Sequence, residues 1–414
     1  MLSVQKIWTV ARYEIKTLLR SWFFRIFATL VILFLTFFNV LFFAQAFEPM
    51  EWMMRGIPSF IPYFNILLLN VAQAVIALFL ASDFLKRDRK ANTTEVIYMR
   101  SMSNSDYILG KSAGLLSVFL GLNILFFLIV ALIHIIFTDV PFQIFPYAAY
   151  LLFVSLPTLI FIFGLSFFTM SLIRNQAVTF ILLLGYFAVS LIVLNYKYNA
   201  AFDAVAFFLP LAYSDFVGFA DLHSILLQRL GYFCLGFGLI WTSILMFKRL
   251  PQSRAMTMVA RLCAIVFLAA GILSFTLYLG DVHQSRSQRA EMVSLNDAYQ
   301  HLPTVHVRSY SIDLAHEGHR IHANVDMQLE NTTTESISEI VFSLNPGLTL
   351  ESMQWNQNIV SFDRDWHLIR ITPLQPLSCE ERATLSVSYS GHIDNDACYL
   401  SVPEEKRTEL NDLR

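Results

Sequence analysis

The sequence predicts an α-helical polytopic membrane domain followed by an all-β, sandwich-like outer domain. Of the 414 residues, 56% are hydrophobic and 14% are charged, against about 25% charged in an average soluble domain. Residues 1–280 hold 19 basic and 11 acidic residues, whereas residues 281–414 hold 10 basic and 20 acidic ones. These observations exclude a soluble globular enzyme, a disordered chain and a disulfide-stapled mini-protein. Because basic residues beside apolar runs are typical of cytoplasmic loops, no nucleic-acid partner is expected.

Residues 1–25 are predicted to form an amphipathic helix in the cytoplasmic interface of the membrane. Apolar residues recur at helical spacing there, and Arg12, Lys16 and Arg20 stand four residues apart on another face. A basic face of this kind is expected to contact lipid head groups, which makes membrane lipids a predicted partner. The alternative is that residues 1–25 are a basic extension of the first span.

Residues 26–250 are predicted to contain six transmembrane helices, and residues 251–280 a cytoplasmic link and a seventh. The basis is seven uncharged runs, each of roughly the 20 residues that a span requires. The runs are Ile26–Phe47, Gly56–Ser82, Ser112–Thr138, Pro146–Ile173, Asn175–Tyr196, Leu230–Phe247 and Leu262–Gly280. Since these runs contain no Asp, Glu, Lys or Arg, an ion-coupled carrier is disfavoured. Asn70 and Gln73, one turn apart, are expected to form interhelical hydrogen bonds.

The distribution of Lys and Arg predicts the orientation of the spans. With the N-terminus inside, the inner segments hold 16 of these residues and the outer segments hold 3. This bias predicts a multi-pass protein of the cell (inner) membrane with a cytoplasmic N-terminus. Residues 281–414 are then periplasmic or extracellular.

The loop between the second and third spans is rich in charge and in helix caps. Thr93 or Thr94 can cap a short helix that has Glu95 in its first turn and ends near Arg100. Ser103 and Asp106 form the pattern of a second cap, which would open the third span. Such a helix could transmit force from a soluble partner into two spans. The alternative is an ordinary solvated connector.

This loop resembles the signature region of ABC-2 type permeases, the membrane subunits of one class of ABC exporter. Thr94 and Glu95 match the pair that opens the coupling helix of that family, and Gly110-Lys111 matches its aliphatic-Gly-Lys ending. The resemblance covers residues 1 to about 250. It implies a homodimer or paired permease subunit docked on a separate ATPase that binds ATP, with no cofactor in this chain. Thr94, Glu95, Arg100, Gly110 and Lys111 are thereby the candidate ATPase-coupling residues.

ATP binding by the chain itself is disfavoured. Gly110-Lys111-Ser112 matches the end of a P-loop, but Ser105 stands where the leading glycine is required. The segment also opens an apolar helix and follows no strand. A phosphate cradle needs a strand, a loop and a helix in that order.

Residues 306–402 are predicted to be a β-rich extracytoplasmic domain, after a polar linker at 281–305 and before a polar tail at 403–414. Apolar residues alternate with polar ones from Ile321 to Leu329, and short strands separated by Gly, Pro and Asn turns indicate an antiparallel sandwich. The other predicted strands are Ile340–Leu344, Leu348–Trp355, Ile359–Phe362, His367–Ile371, Thr384–Tyr389 and Tyr399–Val402.

The β-rich stretch resembles the N-terminal domain of M1-type aminopeptidases. The matching phrases are Tyr310–Leu314, Met327–Asn331, Phe342–Leu348 and Val387–Gly391. The zinc of that family lies in a later domain on an HExxH helix, and this sequence contains no HExxH. The resemblance therefore implies neither a peptidase active site nor a metal site in this chain.

Two cysteines, Cys379 and Cys398, lie in the predicted outer domain, where oxidation is chemically allowed. A disulfide between them and two separate thiols both remain open. The leading function is the membrane permease subunit of an ABC-type exporter, driven by a separate ATPase. The alternatives are a multi-pass anchor for an extracytoplasmic M1-peptidase-like or binding domain, and the membrane half of a peptidase whose active domain lies elsewhere.

Overall fold

The computed structural model describes residues 3–43, 59–83, 102–137, 141–195, 198–214, 218–219, 221–247 and 253–402. The chain divides into two compact units, one formed by residues 1–215 with 219–280 and the other by residues 281–414 with 216–218. The predicted coupling residues Thr94, Glu95 and Arg100 lie outside the described residues, as does the predicted tail at 403–414.

The first unit is helical. Its helices are α1 (Val4–Arg20), α2 (Trp22–Phe43), α3 (Phe60–Ser82), α4 (Asn104–Phe137), α5 (Ile144–Ile173), α6 (Gln176–Leu194), α7 (Leu222–Met246) and the first part of α8 (Arg254–Tyr299). Two-residue strands β1 (Tyr213–Ser214) and β2 (Gly218–Phe219) pair before α7. Among the described residues, seven helices, α2 to α8, are long and apolar enough to cross a membrane. The chain is therefore compatible with a multi-pass membrane protein.

Each of these seven helices overlaps one of the predicted apolar runs, but several begin earlier than the runs do. Helix α7 begins at Leu222 because the Asp221 side chain accepts a hydrogen bond from Ser224 N and caps it. Arg229 is consequently inside α7, and it is only 2% exposed. The predicted run Leu230–Phe247 therefore begins too late and leaves out a charged residue that the helix contains.

The core of the first unit depends on close contact between α5 and α7. A Cβ atom added to Gly164 would collide with the carbonyl oxygen of Gly236, and one added to Gly236 would lie 2.7 Å from the carbonyl carbon of Ile160. Glycine at both positions lets the two backbones touch. Phe163 and Phe167, fully buried on α5, fill the space around this contact.

The second unit contains two antiparallel sheets and the last part of α8. Its strands are β3 (His306–Glu317), β4 (Arg320–Glu330), β5 (Ile340–Ser343), β6 (Leu348–Trp355), β7 (Asn358–Ile359), β8 (Phe362–Asp365), β9 (Leu368–Ile371) and β10 (Arg382–Gly391). The larger sheet has the order β3-β4-β10-β6-β7 and the smaller one β5-β9-β8. One apolar cluster joins them, with Met353 and Leu385 from the larger sheet and Ile369 and Ile371 from the smaller.

The chain departs from the predicted pattern at both ends of the second unit. Residues 281–299, expected to be a polar linker with some helix, belong to α8. Tyr399–Val402, expected to be a strand, is a turn in which Tyr399 has a φ of 56°. The Arg289 guanidinium fixes this turn by donating hydrogen bonds to the carbonyl oxygens of Cys398 at 2.8 Å and Tyr399 at 2.7 Å.

Candidate functional site

Helix α1 packs along the first half of α4 through two glycines. A Cβ atom at Gly110 would lie 2.6 Å from Val10 Cβ and 2.9 Å from Ile7 O. A Cβ atom at Gly114 would lie 2.9 Å from Ala11 O. These distances are shorter than carbon and oxygen atoms tolerate, so only glycine permits the observed approach of the two helices. Gly110, a predicted coupling residue, is thus a contact point between α1 and α4.

A buried ion pair lies beside this contact. Lys111 Nζ is 3.6 Å from Glu14 Oε2, and the two side chains are 4% and 2% exposed. The Lys111 ammonium also lies 5.2 Å from the centre of the Tyr107 ring, a distance suited to a cation–π contact. Because both charges are buried, removing one of them destabilises the folded chain far more than removing one partner of a surface ion pair.

Asp106 connects the start of α4 with the start of α1. Its Oδ2 accepts a hydrogen bond from Ser103 N at 3.1 Å, and Ser103 Oγ accepts one from Asp106 N at 3.1 Å. This reciprocal pair confirms the cap predicted from the sequence. The second oxygen, Oδ1, accepts a hydrogen bond from Ser3 N at 3.0 Å. One carboxylate therefore holds the first residues of two helices.

The end of α7 joins the same region. Asn104 Nδ2 donates a hydrogen bond to Phe247 O at 2.8 Å. The rings of Tyr107 and Phe247 stack with centres 5.4 Å apart and planes at 11°. We call the set Ser3, Glu14, Asn104, Asp106, Tyr107, Gly110, Lys111, Gly114 and Phe247 the α1–α4 junction. It links three helices directly after the segment 84–101.

Part of this junction is predicted from the sequence. Gly110 and Lys111 are predicted coupling residues, and the structure brings both into the contact with α1. Asp106 is predicted only to cap α4, and no role is predicted for Glu14. The signal for Glu14 was available, because it is the one acidic residue of α1 and stands among four basic ones.

A second group of polar residues is buried in the interior of the first unit, around Arg229. The guanidinium donates hydrogen bonds to Asp203 O at 2.5 Å, Ala204 O at 3.3 Å, Thr158 Oγ1 at 3.4 Å and Gln228 Oε1 at 2.6 Å. These four bonds hold the turn containing Asp203 and Ala204 against α5 and α7. The hydrogen-bond partners explain how an arginine can be buried within an apolar helix bundle.

The polar group continues from Thr158 across three helices. Asn70 Nδ2 donates to Thr158 Oγ1 at 3.2 Å, and Gln73 Nε2 donates to Asn70 Oδ1 at 2.8 Å. Asn123 Nδ2 donates to Gln73 Oε1 at 2.7 Å, and Ser155 Oγ donates to Asn123 Oδ1 at 2.8 Å. The interhelical hydrogen bonds predicted for Asn70 and Gln73 are confirmed. We interpret this chain of bonds as a device that fixes the relative positions of α3, α4 and α5.

Two ionisable residues of the second unit have environments that shift their pKa values. Arg308 donates a hydrogen bond to the Glu330 carboxylate, with Arg382 Nε 3.2 Å from the other oxygen, and this lowers the pKa of Glu330. Burial lowers the pKa of His367, against the opposing effect of Asp365. His367 Nε2 lies 2.7 Å from Asn296 Oδ1, which connects the turn before β9 to α8. These contacts stabilise the second unit.

Cys379 and Cys398 lie at opposite ends of β10. The strand between them has ten residues, which span roughly 33 Å at the rise of an extended chain. Disulfide formation requires Cα atoms within about 7 Å. Cys379 is exposed, whereas Cys398 Sγ donates to Asp394 O at 3.5 Å. The fold of the described β region therefore keeps the two thiols apart.

Comparisons with known proteins give little further information. No protein-family model and no curated protein matches the chain. Among solved structures, the M1 zinc metallopeptidase from Deinococcus radiodurans and a mutant of it bound to a Tyr-Ser-Ala substrate each match with 23% identity and a TM-score of 0.20. Each match covers 22% of this chain and 21% of the solved one, so the chain spans about a fifth of their length. A TM-score this low carries no conclusion about activity.

Proposed function

We propose that this chain is a permease subunit of an ABC-type exporter, in which a separate ATPase binds and hydrolyses ATP. The observation that carries the proposal is the α1–α4 junction, which is buried, charged and placed directly after the segment 84–101. A short helix at 94–100 with Thr94, Glu95 and Arg100 would receive the movement of the ATPase. The junction would pass that movement to the spans.

The contacts of the junction support a specific path for this movement. A displacement of the segment 84–101 would reach Ser103 first, and Asp106 ties Ser103 to Ser3 at the start of α1. The buried Glu14–Lys111 pair would oppose sliding of α1 along α4. Helices α1 and α4 would therefore move together, and the bond from Asn104 to Phe247 would carry the end of α7 with them.

The remaining parts of the proposal concern location and cargo. The chain would lie in the cell (inner) membrane as a homodimer or beside a second permease subunit, with α1 on the cytoplasmic side. The second unit would be an extracytoplasmic, sandwich-like β-domain that binds cargo or a partner. The apolar, phenylalanine-rich spans would suit a lipid-like or amphipathic cargo. The four bonds that hold Arg229 to protein oxygens favour a structural role for it, so the energy for transport would come from ATP.

The direct test of this proposal is purification of the full chain from native membranes in mild detergent, followed by mass spectrometry of the bound proteins. We expect a P-loop ATPase in near-stoichiometric amount, and we expect it to be lost when residues 94–100 are replaced by a Gly/Ser segment of equal length. The matched control is Gly121→Ala on α4, where an added Cβ meets no atom within 4 Å. This variant should retain the ATPase.

The alternative function is a multi-pass membrane anchor for an extracytoplasmic M1-peptidase-like or binding domain. The observation that favours it is that residues 281–414 form a compact unit with apolar clusters of their own. An intact, monodisperse chain that carries no ATPase would support the anchor and contradict the permease.

A further inference from the structure

Strand β3 forms one edge of the larger sheet of the second unit, with β4 as its one neighbour in the described part of the chain. All twelve residues of β3 are exposed. Edge strands are usually protected by lysine, by proline or by their short length, whereas β3 is long and contains neither residue. A bulge between Val307 and Ser309 interrupts one end. The regular stretch from Ser309 to Glu317 is therefore open for pairing with another strand.

The open edge also carries apolar side chains. Tyr310, Ile312 and Leu314 share one face of β3, and they are 69%, 52% and 57% exposed. Val325 and Ala323, which stand opposite Ile312 and Leu314 on β4, are buried. The apolar face of the larger sheet thus continues beyond its buried part onto an uncovered strand. Exposed apolar side chains that stand together in this way mark an interaction surface.

The turn after β3 shows which of its backbone groups point outward. Gly318, with a φ of 60°, opens a two-residue turn that is closed by the paired residues Glu317 and Arg320. The residues that close such a turn bond to each other, and bonded positions alternate along an antiparallel pair. The odd-numbered residues of β3 therefore bond to β4. The even-numbered residues from 310 to 316 direct their N–H and C=O groups to the open edge.

A second copy of β3 has the side chains that fit this edge. In the antiparallel register centred on Ile312, this residue faces its own copy and Tyr310 faces Leu314. Ser311 then faces Asp313, so that a hydroxyl stands opposite each carboxylate. A register centred on Asp313 would place two carboxylates opposite each other, which is destabilising. A register centred on Ser311 would place Leu314 opposite the bulge, without an apolar partner.

We infer that two copies of this chain pair through β3, which joins their larger sheets into one antiparallel sheet about a two-fold axis at Ile312. The contact is isologous, because the same strand serves both copies. Confinement of both chains to one membrane raises their effective concentration and favours a contact of this modest size.

This inference goes beyond the proposed function, which leaves a homodimer and a paired subunit open and names no interface between copies. It concerns the second unit alone, so it holds for the permease and for the anchor. A chain without a bound ATPase would leave it standing, and failure of the β3 pairing would leave the permease standing.

The experiment is disulfide cross-linking of the full chain in native membranes, in a Cys379→Ser background that removes the exposed thiol. Two Ile312→Cys chains would bring their Cα atoms to about 5.5 Å, within reach of a disulfide. The matched control is Leu314→Cys, on the same face and similarly exposed. Its two copies would lie four residues apart along the strands, roughly 13 Å. We expect at least about tenfold more covalent dimer from Ile312→Cys than from this control.

A mixture of two variants tests the register. Tyr310→Cys chains expressed together with Leu314→Cys chains should cross-link to each other, although neither should link to its own copy. Equal dimer from Ile312→Cys and Leu314→Cys, or no dimer from either, would overturn the inference. A cross-link from Ile312→Cys to a protein of different mass would show that the edge binds another partner, which overturns it as well.

Hydrogen exchange of the unaltered chain keeps the test valid if a cysteine variant does not fold. Nanodiscs extracted directly from native membranes are separated into those with one chain and those with two. The outward amides of Tyr310, Ile312 and Leu314 should exchange at least about tenfold more slowly in the two-chain discs. The amide of Ser311, bonded to β4, should be protected in both.

A proline variant gives the matching loss. Ile312→Pro removes one outward N–H and no bond to β4, so it is compatible with an edge strand, and it should abolish the difference between the two kinds of disc. Equal exchange of the outward amides in one-chain and two-chain discs of the unaltered chain would overturn the inference.

Discussion

The Lys111 ammonium lies 3.6 Å from the Glu14 carboxylate, in a contact where neither side chain is more than 4% exposed. The pair joins a helix of the N-terminal segment to the first turns of α4, and the glycines beside it bring the two backbones together. It is the contact on which our account of coupling depends.

We predict that Lys111→Met destabilises the association of α1 with α4. The change leaves the Glu14 carboxylate buried without the Lys111 ammonium, and breaking a buried pair costs about 3–5 kcal/mol. Hydrogen exchange of α1 in the full chain measures the loss. The matched control is Gln5→Met on α1, an exposed site where the cost should stay within about 0.5 kcal/mol. The double variant Glu14→Leu, Lys111→Met should be more stable than Lys111→Met alone, and an equal or lower stability would contradict the assignment.

We predict that Gly164→Ala and Gly236→Ala each destabilise the helix bundle. The added methyl group meets backbone atoms of the facing helix, so α5 and α7 must separate, at a cost of about 1–3 kcal/mol. Thermal unfolding in detergent measures the effect. Gly185→Ala is the matched control, because a Cβ at that position on α6 meets no atom within 4 Å. If Gly185→Ala and Gly164→Ala lowered the unfolding temperature equally, the close α5–α7 contact would be wrong.

We predict that Arg229→Gln releases the turn at residues 198–209 from the bundle. The change removes the guanidinium bonds to the carbonyl oxygens of Asp203 and Ala204. These oxygens keep only the bonds from Gln228, Ala206 and Thr158, and each lost bond costs about 0.5–1.5 kcal/mol. Limited proteolysis of the turn should accelerate several-fold. Leu226→Ala is the comparison on the same helix, because the Leu226 side chain is exposed, and this variant should leave proteolysis of the turn unchanged. Unchanged proteolysis in Arg229→Gln would contradict the conclusion that this arginine holds the turn against the bundle.

We predict that the β4–β10 region loses stability below about pH 4.5, the ordinary pKa of a glutamate. The hydrogen bond from Arg308 lowers the pKa of Glu330 in the folded chain, so the unfolded chain binds a proton first as the pH falls. Glu330→Gln should reduce the acceleration of β4 hydrogen exchange at low pH. Glu317→Gln changes a residue that is exposed at the end of β3, and it should leave this acceleration unchanged. The lowered pKa of His367 also destabilises the folded chain as the pH falls, but this begins at higher pH, below about 6.5. His367 is present in the unaltered chain and in both variants, so its effect is the same in all three. An equal acceleration of β4 exchange at low pH in Glu330→Gln and in the unaltered chain would refute the prediction.

Much of the fold follows from local patterns in the sequence. The apolar runs predict where the long helices lie, and the Ser103–Asp106 pattern predicts the start of α4. The strand β6 begins and ends at the predicted residues Leu348 and Trp355. These features depend on residues close together in the chain, where periodicity and capping decide the outcome.

The features that the sequence did not predict depend on distant partners. Arg229 lies outside the predicted run Leu230–Phe247, because nothing near it in the chain shows that the Asp203 turn satisfies its hydrogen bonds. Tyr399–Val402 has the apolar alternation of a strand, but hydrogen bonds from Arg289 to its carbonyl oxygens hold it in a turn. The sequence predicts a role for Lys111 but none for Glu14, because only the approach of α1 to α4 makes them a pair.

The central claim is that the α1–α4 junction transmits movement between a bound ATPase and the spans. The most direct measurement is the rate of ATP hydrolysis by the purified complex of the full chain with its ATPase, compared between the unaltered chain and Lys111→Met. The account predicts that the ATPase remains bound, since residues 94–100 are unchanged, while hydrolysis that depends on the permease falls several-fold. Unchanged hydrolysis in Lys111→Met, or a purified chain with no ATPase bound, would contradict it.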